Sequence, residues 1–144
     1  MSLVEQRYPR LAQLMELWLR HRRDDGLPPT SALVAQVPDD TASATLLLVR
    51  EGAQGQRLTI EESGSEVDAL YGERLAGAPV ERLAPVRGGA AEEALAAIET
   101  ARPVTVEDEL QVGGRRRRIA RMYLPLAADD GSPDGVLCGV VAVR

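Results

Sequence analysis

RLTIEESGSEVDALYGERLAG, residues 57–77, decides the fold, because its hydrophobic period changes halfway along. Leu58 and Ile60 alternate with Thr59 and Glu61, as in a strand with one buried face. The alternation stops at Gly64, which lets the chain leave the strand, and SEVDALY then reads as a short helix closed by Gly72, where a left-handed residue is favoured. Gly77 turns the chain once more. A phosphate-binding loop would need a lysine followed by Ser or Thr behind its last glycine, so that backbone amides and an ammonium hold the phosphates; neither follows. The three glycines therefore shape a passage from a strand into a helical cluster.

Working outward, Thr45–Arg50 and Gln56–Glu62 read as two strands joined by a glycine-bearing loop. PVERL is a further helical turn, and GAAEEALAAIETARP is a helix with acids early, good helix formers throughout and a stop at Pro103. VTVEDELQV, Gly113-Gly114 and RRRRIARMYLPL form a second hairpin, and DDGSPDG turns the chain into VLCGVVAV. Towards the N-terminus, Leu11, Leu14, Met15, Trp18 and Leu19 recur at helical spacing until RHRRDDGLPPT ends the helix, and SALVAQVPDD adds one short turn. Leu46–Val49 and Val136–Val143 are apolar on both faces and belong in the middle of the sheet, whereas LTIEES and VTVEDELQ alternate or end in charge. Such a sheet needs two covers. The internal helices supply one, and the N-terminal helix, through Leu11, Leu14, Met15 and Trp18, is expected to supply the other. Val4, Leu11 and Trp18 extend that stripe at heptad spacing, which also points to a homodimer.

The chain has 144 residues, room for one domain with a core of its own. Its positive charges are all arginine; lysine, asparagine and phenylalanine are absent, and the bias suits a GC-rich bacterial genome. A net charge of −5 argues against broad affinity for nucleic acid or an anionic membrane. The single cysteine, Cys138, excludes an intramolecular disulfide or a thiolate zinc site, and fits a reducing compartment. The N-terminus lacks the apolar core of a secretory peptide, and no run approaches the ~20 apolar residues that span a bilayer. A cytoplasmic location is expected.

The element order resembles that of the PAS domain superfamily, and more closely the small single-domain PAS-like proteins of alphaproteobacteria, long filed as a domain of unknown function. The residues carrying the resemblance are LxxLWLRHRRDDGLPP with Trp18, Gly26 and Pro28; RLTIEESGSEVDALYGERLAG with Gly64, Tyr71, Gly72 and Gly77; and MYLPLAADDG with Leu124 and Pro125, followed by VLCGVV. The resemblance implies an α+β fold: a five-stranded antiparallel sheet of order 2-1-5-4-3, with a helical cluster between strands two and three. Residues 1–30 would be the N-terminal helix and its proline-rich connection, and 31–144 the PAS-like core. A ligand pocket would then be lined by Leu58, Ile60, Leu70, Tyr71, Met122 and Leu124, with Tyr71 as the polar handle.

No catalytic or metal set can be assembled. His21 is the only histidine and sits at a basic helix end, without a Ser/His or thiolate partner for nucleophilic or metal chemistry. Cys138 lies in the last strand rather than on a helix beside a flavin, and reads as a small buried hydrophobe. Asp129, Asp130 and Asp134 surround Gly131 without the terminal glutamate of a calcium loop. Arg115, Arg116, Arg117 and Arg118 form a basic patch, with Glu109 facing Arg118 and Gln111 facing Arg116 if the Gly-Gly turn has two residues. No aromatic residue interleaves with them, so a solvated hairpin is favoured over a nucleic-acid platform.

The reading that follows is a non-catalytic cytoplasmic sensory or adaptor module, without a cofactor. It acts on a separate signalling protein and binds a small apolar ligand if it binds any. The chain is too short to carry an attached kinase, cyclase or DNA-binding domain, so its output is expected to pass through contacts with that partner. Two alternatives stand beside it: a small-molecule-binding protein or enzyme on another curved α+β fold, and a nucleic-acid binder through the arginine row.

Overall fold

Strands β1 (Thr45–Glu51), β2 (Arg57–Ser63), β3 (Val104–Val112), β4 (Arg115–Ala127) and β5 (Pro133–Ala142) form one antiparallel sheet of order β2-β1-β5-β4-β3. The computed structural model describes residues 7–22, 26–51, 57–83, 89–128 and 133–143, the side chains of 133 and 134 excepted. Val4, the loop at 52–56, Asp129, Asp130 and the Asp134 side chain lie outside the described residues. The two strands that are apolar on both faces, β1 and β5, are interior as expected, with β5 in the middle.

Helix α1 (Pro9–His21) starts on a proline, whose missing N–H would be unpaired there anyway, and ends with Arg20 and His21 at its negative pole. One helical turn was expected between α1 and β1. Two form, α2 (Thr30–Val34) and α3 (Asp39–Ala42), each entered through an extended proline, Pro29 and Pro38. After β2 come α4 (Ser65–Tyr71), closed by left-handed Gly72 at φ 70°, a 3₁₀ turn over Val80–Leu83, and α5 (Ala90–Thr100). Helix α5 ends at Ala101, left-handed at φ 54°, rather than running to Pro103. Pro103 disfavours the helical region for Arg102, so the chain has to leave the helix earlier.

The sheet is buried on both sides. Its inner face packs Leu46, Leu48, Ile119, Tyr123, Val136 and Cys138 against Val67, Tyr71, Leu75, Leu83, Ala94 and Ile98 of the helical cluster. Its outer face packs Leu47, Ala120, Met122, Leu124, Leu126 and Leu137 beneath Leu11, Leu14 and Trp18 of α1. Each such aliphatic side chain contributes about 1.5–3 kcal/mol on burial. A Cβ at Gly139 would lie 2.7 Å from Leu14 and 2.8 Å from Leu11, so a glycine in β5 is what lets α1 settle this closely.

Candidate functional site

Alternation along β4 sends Ile119, Arg121 and Tyr123 to the inner face, and the first turn of α5 brings Glu93 to meet them. Arg121 is fully buried. Its Nη2 donates to Glu93 Oε1 at 2.9 Å and lies 3.6 Å from Asp108 Oδ2, while Nη1 donates to the Leu83 carbonyl at 2.9 Å. The Tyr123 hydroxyl donates to the same Glu93 oxygen at 2.7 Å, and the Tyr71 hydroxyl to the Leu83 carbonyl at 3.2 Å. One charged group therefore ties α4, the 3₁₀ turn, α5, β3 and β4 together behind the sheet. Arg121 Nε is buried with no hydrogen-bond partner, an unused donor at the centre of this network.

Burial sets the protonation states. It opposes the charge of Arg121, but Tyr123, Tyr71 and Glu93 outweigh it and hold the guanidinium above its ordinary pKa. Burial raises Tyr71 to about 12 and Cys138 to about 12, and drives Tyr123 up as well. At neutral pH both phenols donate and the thiol stays protonated, so the site offers hydrogen bonds and one fixed cation rather than a nucleophile. Among the described residues no cluster of three His, Cys, Asp or Glu side chains could hold a metal. His21 ends α1 with Nδ1 2.9 Å from the Leu17 carbonyl.

Leu58, Ile60 and Tyr71 lie in the inner cluster with this network, and Leu70 packs at its margin. Met122 and Leu124 do not: both are buried on the outer face beneath α1. The expectation chose the wrong parity along β4, since a shift of one residue exchanges the faces of a strand. Arg121 and Tyr123 occupy the positions assigned to them. Leu11, Leu14 and Trp18 are buried, Met15 partly, and Trp18 Nε1 donates to the Pro125 carbonyl at 2.8 Å. The sheet of the same chain thus uses the surface that the sequence reading also assigned to a dimer. Arg115–Arg118 are exposed on the β3–β4 hairpin, in the expected register. Sequence reasoning missed Arg121, Glu93 and Asp108. The signal was Ile119-x-Arg121-x-Tyr123, a cation between two residues of an apolar face.

No family model matches the sequence, and no curated protein does. Solved structures match in fold. The PAS domain of a protein from Colwellia psychrerythraea aligns with a TM-score of 0.53 at 22% identity, over 69% of this chain and 86% of that one. The PAS domain of BvgS from Bordetella pertussis gives 0.50 at 14%, over 79% and 86%. The blue-light photoreceptor Vivid gives 0.56 at 12%, over 93% and 95%. Together with the strand order, these likenesses show that the chain has a PAS-type fold.

Proposed function

We propose that this PAS-type chain is a non-catalytic sensory or adaptor module in bacterial signal transduction, cytoplasmic, reading its interior and reporting through α1. The observation that carries the reading is the double burial of β4. Arg121 and Tyr123 face the helical cluster, while the intervening Met122 and the flanking Ala120 and Leu124 lie under α1. A displacement of β4 caused on one side must repack the other, because close-packed side chains shift between discrete arrangements.

Two further links couple α1 to the rest. Arg10 forms a bidentate pair with Glu66 of α4, its Nη2 donating to Oε1 at 2.7 Å, and Trp18 is hydrogen-bonded to β4 at Pro125. A small, mainly apolar ligand entering between Leu58, Ile60, Leu70 and Tyr71 would exchange contacts with Tyr123 and use the spare Arg121 Nε donor as its polar anchor. It shifts the population of α1 positions by its differential affinity for them, and a partner protein reads α1.

Hydrogen–deuterium exchange on the Tyr123→Phe variant tests the coupling. That variant loses one interior hydrogen bond and nothing on the outer face. Faster exchange throughout α1 is expected. Changes confined to α5 and β3–β4 would show that the two faces are independent and would remove the basis of the proposal.

A further inference from the structure

Pairing of β3 with β4 divides the arginine row between two faces. Arg116 stands opposite Gln111, and Arg118 stands opposite Glu109 and pairs with Glu107 at 3.5 Å. Arg115 and Arg117 stand opposite Val112 and Leu110 on the other face. There they rim a depression of about 170 Å³ whose remaining lining is Ala69, Leu70, Leu110 and Val112. Among the described residues neither arginine has an acidic partner, and the acids of the adjoining segment are engaged elsewhere. Glu66 holds Arg10, Asp68 accepts the Leu75 N–H, and Glu73 holds Arg82.

We infer that this depression docks an acidic segment of a partner protein, seated by one aliphatic side chain. The volume suits one: an apolar cavity of about 150 Å³ takes up a single benzene. The two guanidinium forks beside it match carboxylates in a bidentate manner. No aromatic side chain lines the depression to stack a base, and its floor is aliphatic, so a short acidic peptide with an aliphatic side chain fits better than nucleic acid. The inference names the partner chemistry of the proposed module and rests on that reading. Its test leaves the interior untouched, so the two fail separately.

The test is a fluorescence-anisotropy titration of the full chain with a labelled synthetic peptide carrying one leucine between runs of glutamate. Two double variants, Arg115→Ser/Arg117→Ser and Arg116→Ser/Arg118→Ser, remove the same charge from the same hairpin, so net charge alone cannot separate them. Saturable binding is expected, weakened at least about tenfold by the first pair and less than about threefold by the second. Serine in place of the peptide's leucine should weaken it comparably to the first pair. Absence of saturable binding, equal weakening by both pairs or indifference to the leucine overturns the inference. So does tighter binding of a single-stranded oligonucleotide, or a dimer in native mass spectrometry that only the first pair abolishes, which would assign the surface to nucleic acid or to a second copy.

Discussion

The two faces of β4 are equally buried and differently built. Beneath α1 the contacts are aliphatic and aromatic; Trp18 Nε1 is satisfied by a backbone carbonyl, and the Tyr8 hydroxyl is buried without a hydrogen-bond partner among the described residues. Beneath the helical cluster a cation sits in the core, held by Glu93, Asp108 and Leu83, with one donor unused. Removing an ion from water costs several kcal/mol, which its partners roughly recover. The outer face therefore stabilises the fold by area, whereas the inner face stabilises one arrangement of five elements over others. A core that only needed stability would be served as well by an apolar side chain at position 121.

The largest expected effect breaks the outer face. Trp18→Ala should cost about 3–5 kcal/mol in urea unfolding, a large part of the stability of an ordinary domain. A loss below about 1 kcal/mol would mean that α1 is only loosely applied to the sheet. On the inner face, Glu93→Ala should cost about 3 kcal/mol, the low end for a broken buried pair because Asp108 stays near Arg121. Replacing the pair together, as Glu93→Leu with Arg121→Met, should restore most of that loss. If the double variant is no better than the single, the charged network itself supplies stability that apolar area cannot replace.

Alkaline pH separates the faces further. The folded-state pKa values of Cys138 and Tyr71 are raised by burial from 9.0 and 10.0 to about 12, and both side chains belong to the inner cluster. A raised pKa favours the protonated folded state, so this stability is complete below pH 9.0 and is lost as pH rises towards about 12. Unfolding midpoints of Cys138→Ala should fall less steeply across that window than those of the parent protein. An identical slope would show that the thiol titrates as freely in the folded chain as in the unfolded one. The smallest effect concerns neither face: replacing Arg115–Arg118 together by serine should leave the unfolding midpoint unchanged, since exposed ion pairs contribute little.

The outer face was legible because it is written in one period. Leu11, Leu14 and Trp18 mark the buried stripe of α1 without reference to anything outside the helix. The inner site was not. IARMYL alternates apolar and adaptable residues so closely that either parity passes for a core face, and Met122 and Leu124 look more buried than Arg121. Glu93 carries no mark of its own either, since acids in the first turn of a helix usually stand in solvent and complement the dipole. Only the pairing of β4 with β3 and β5 sets the parity, and only the seat of α5 brings a carboxylate to the guanidinium.

Hydrophobic period, glycine placement and proline stops, all local properties, were enough for the order of the strands and the longer helices, for the interior places of β1 and β5, for the register across Gly113-Gly114 and for the cover provided by α1. Tertiary structure decided what no local signal carries: which residues of β4 look inward, and that a buried arginine binds the helical cluster to the sheet. A charge can enter a core only when partners distant in the chain converge on it. Arg121 and Glu93 are 28 residues apart, so the ion pair is a property of the folded chain and not of either segment.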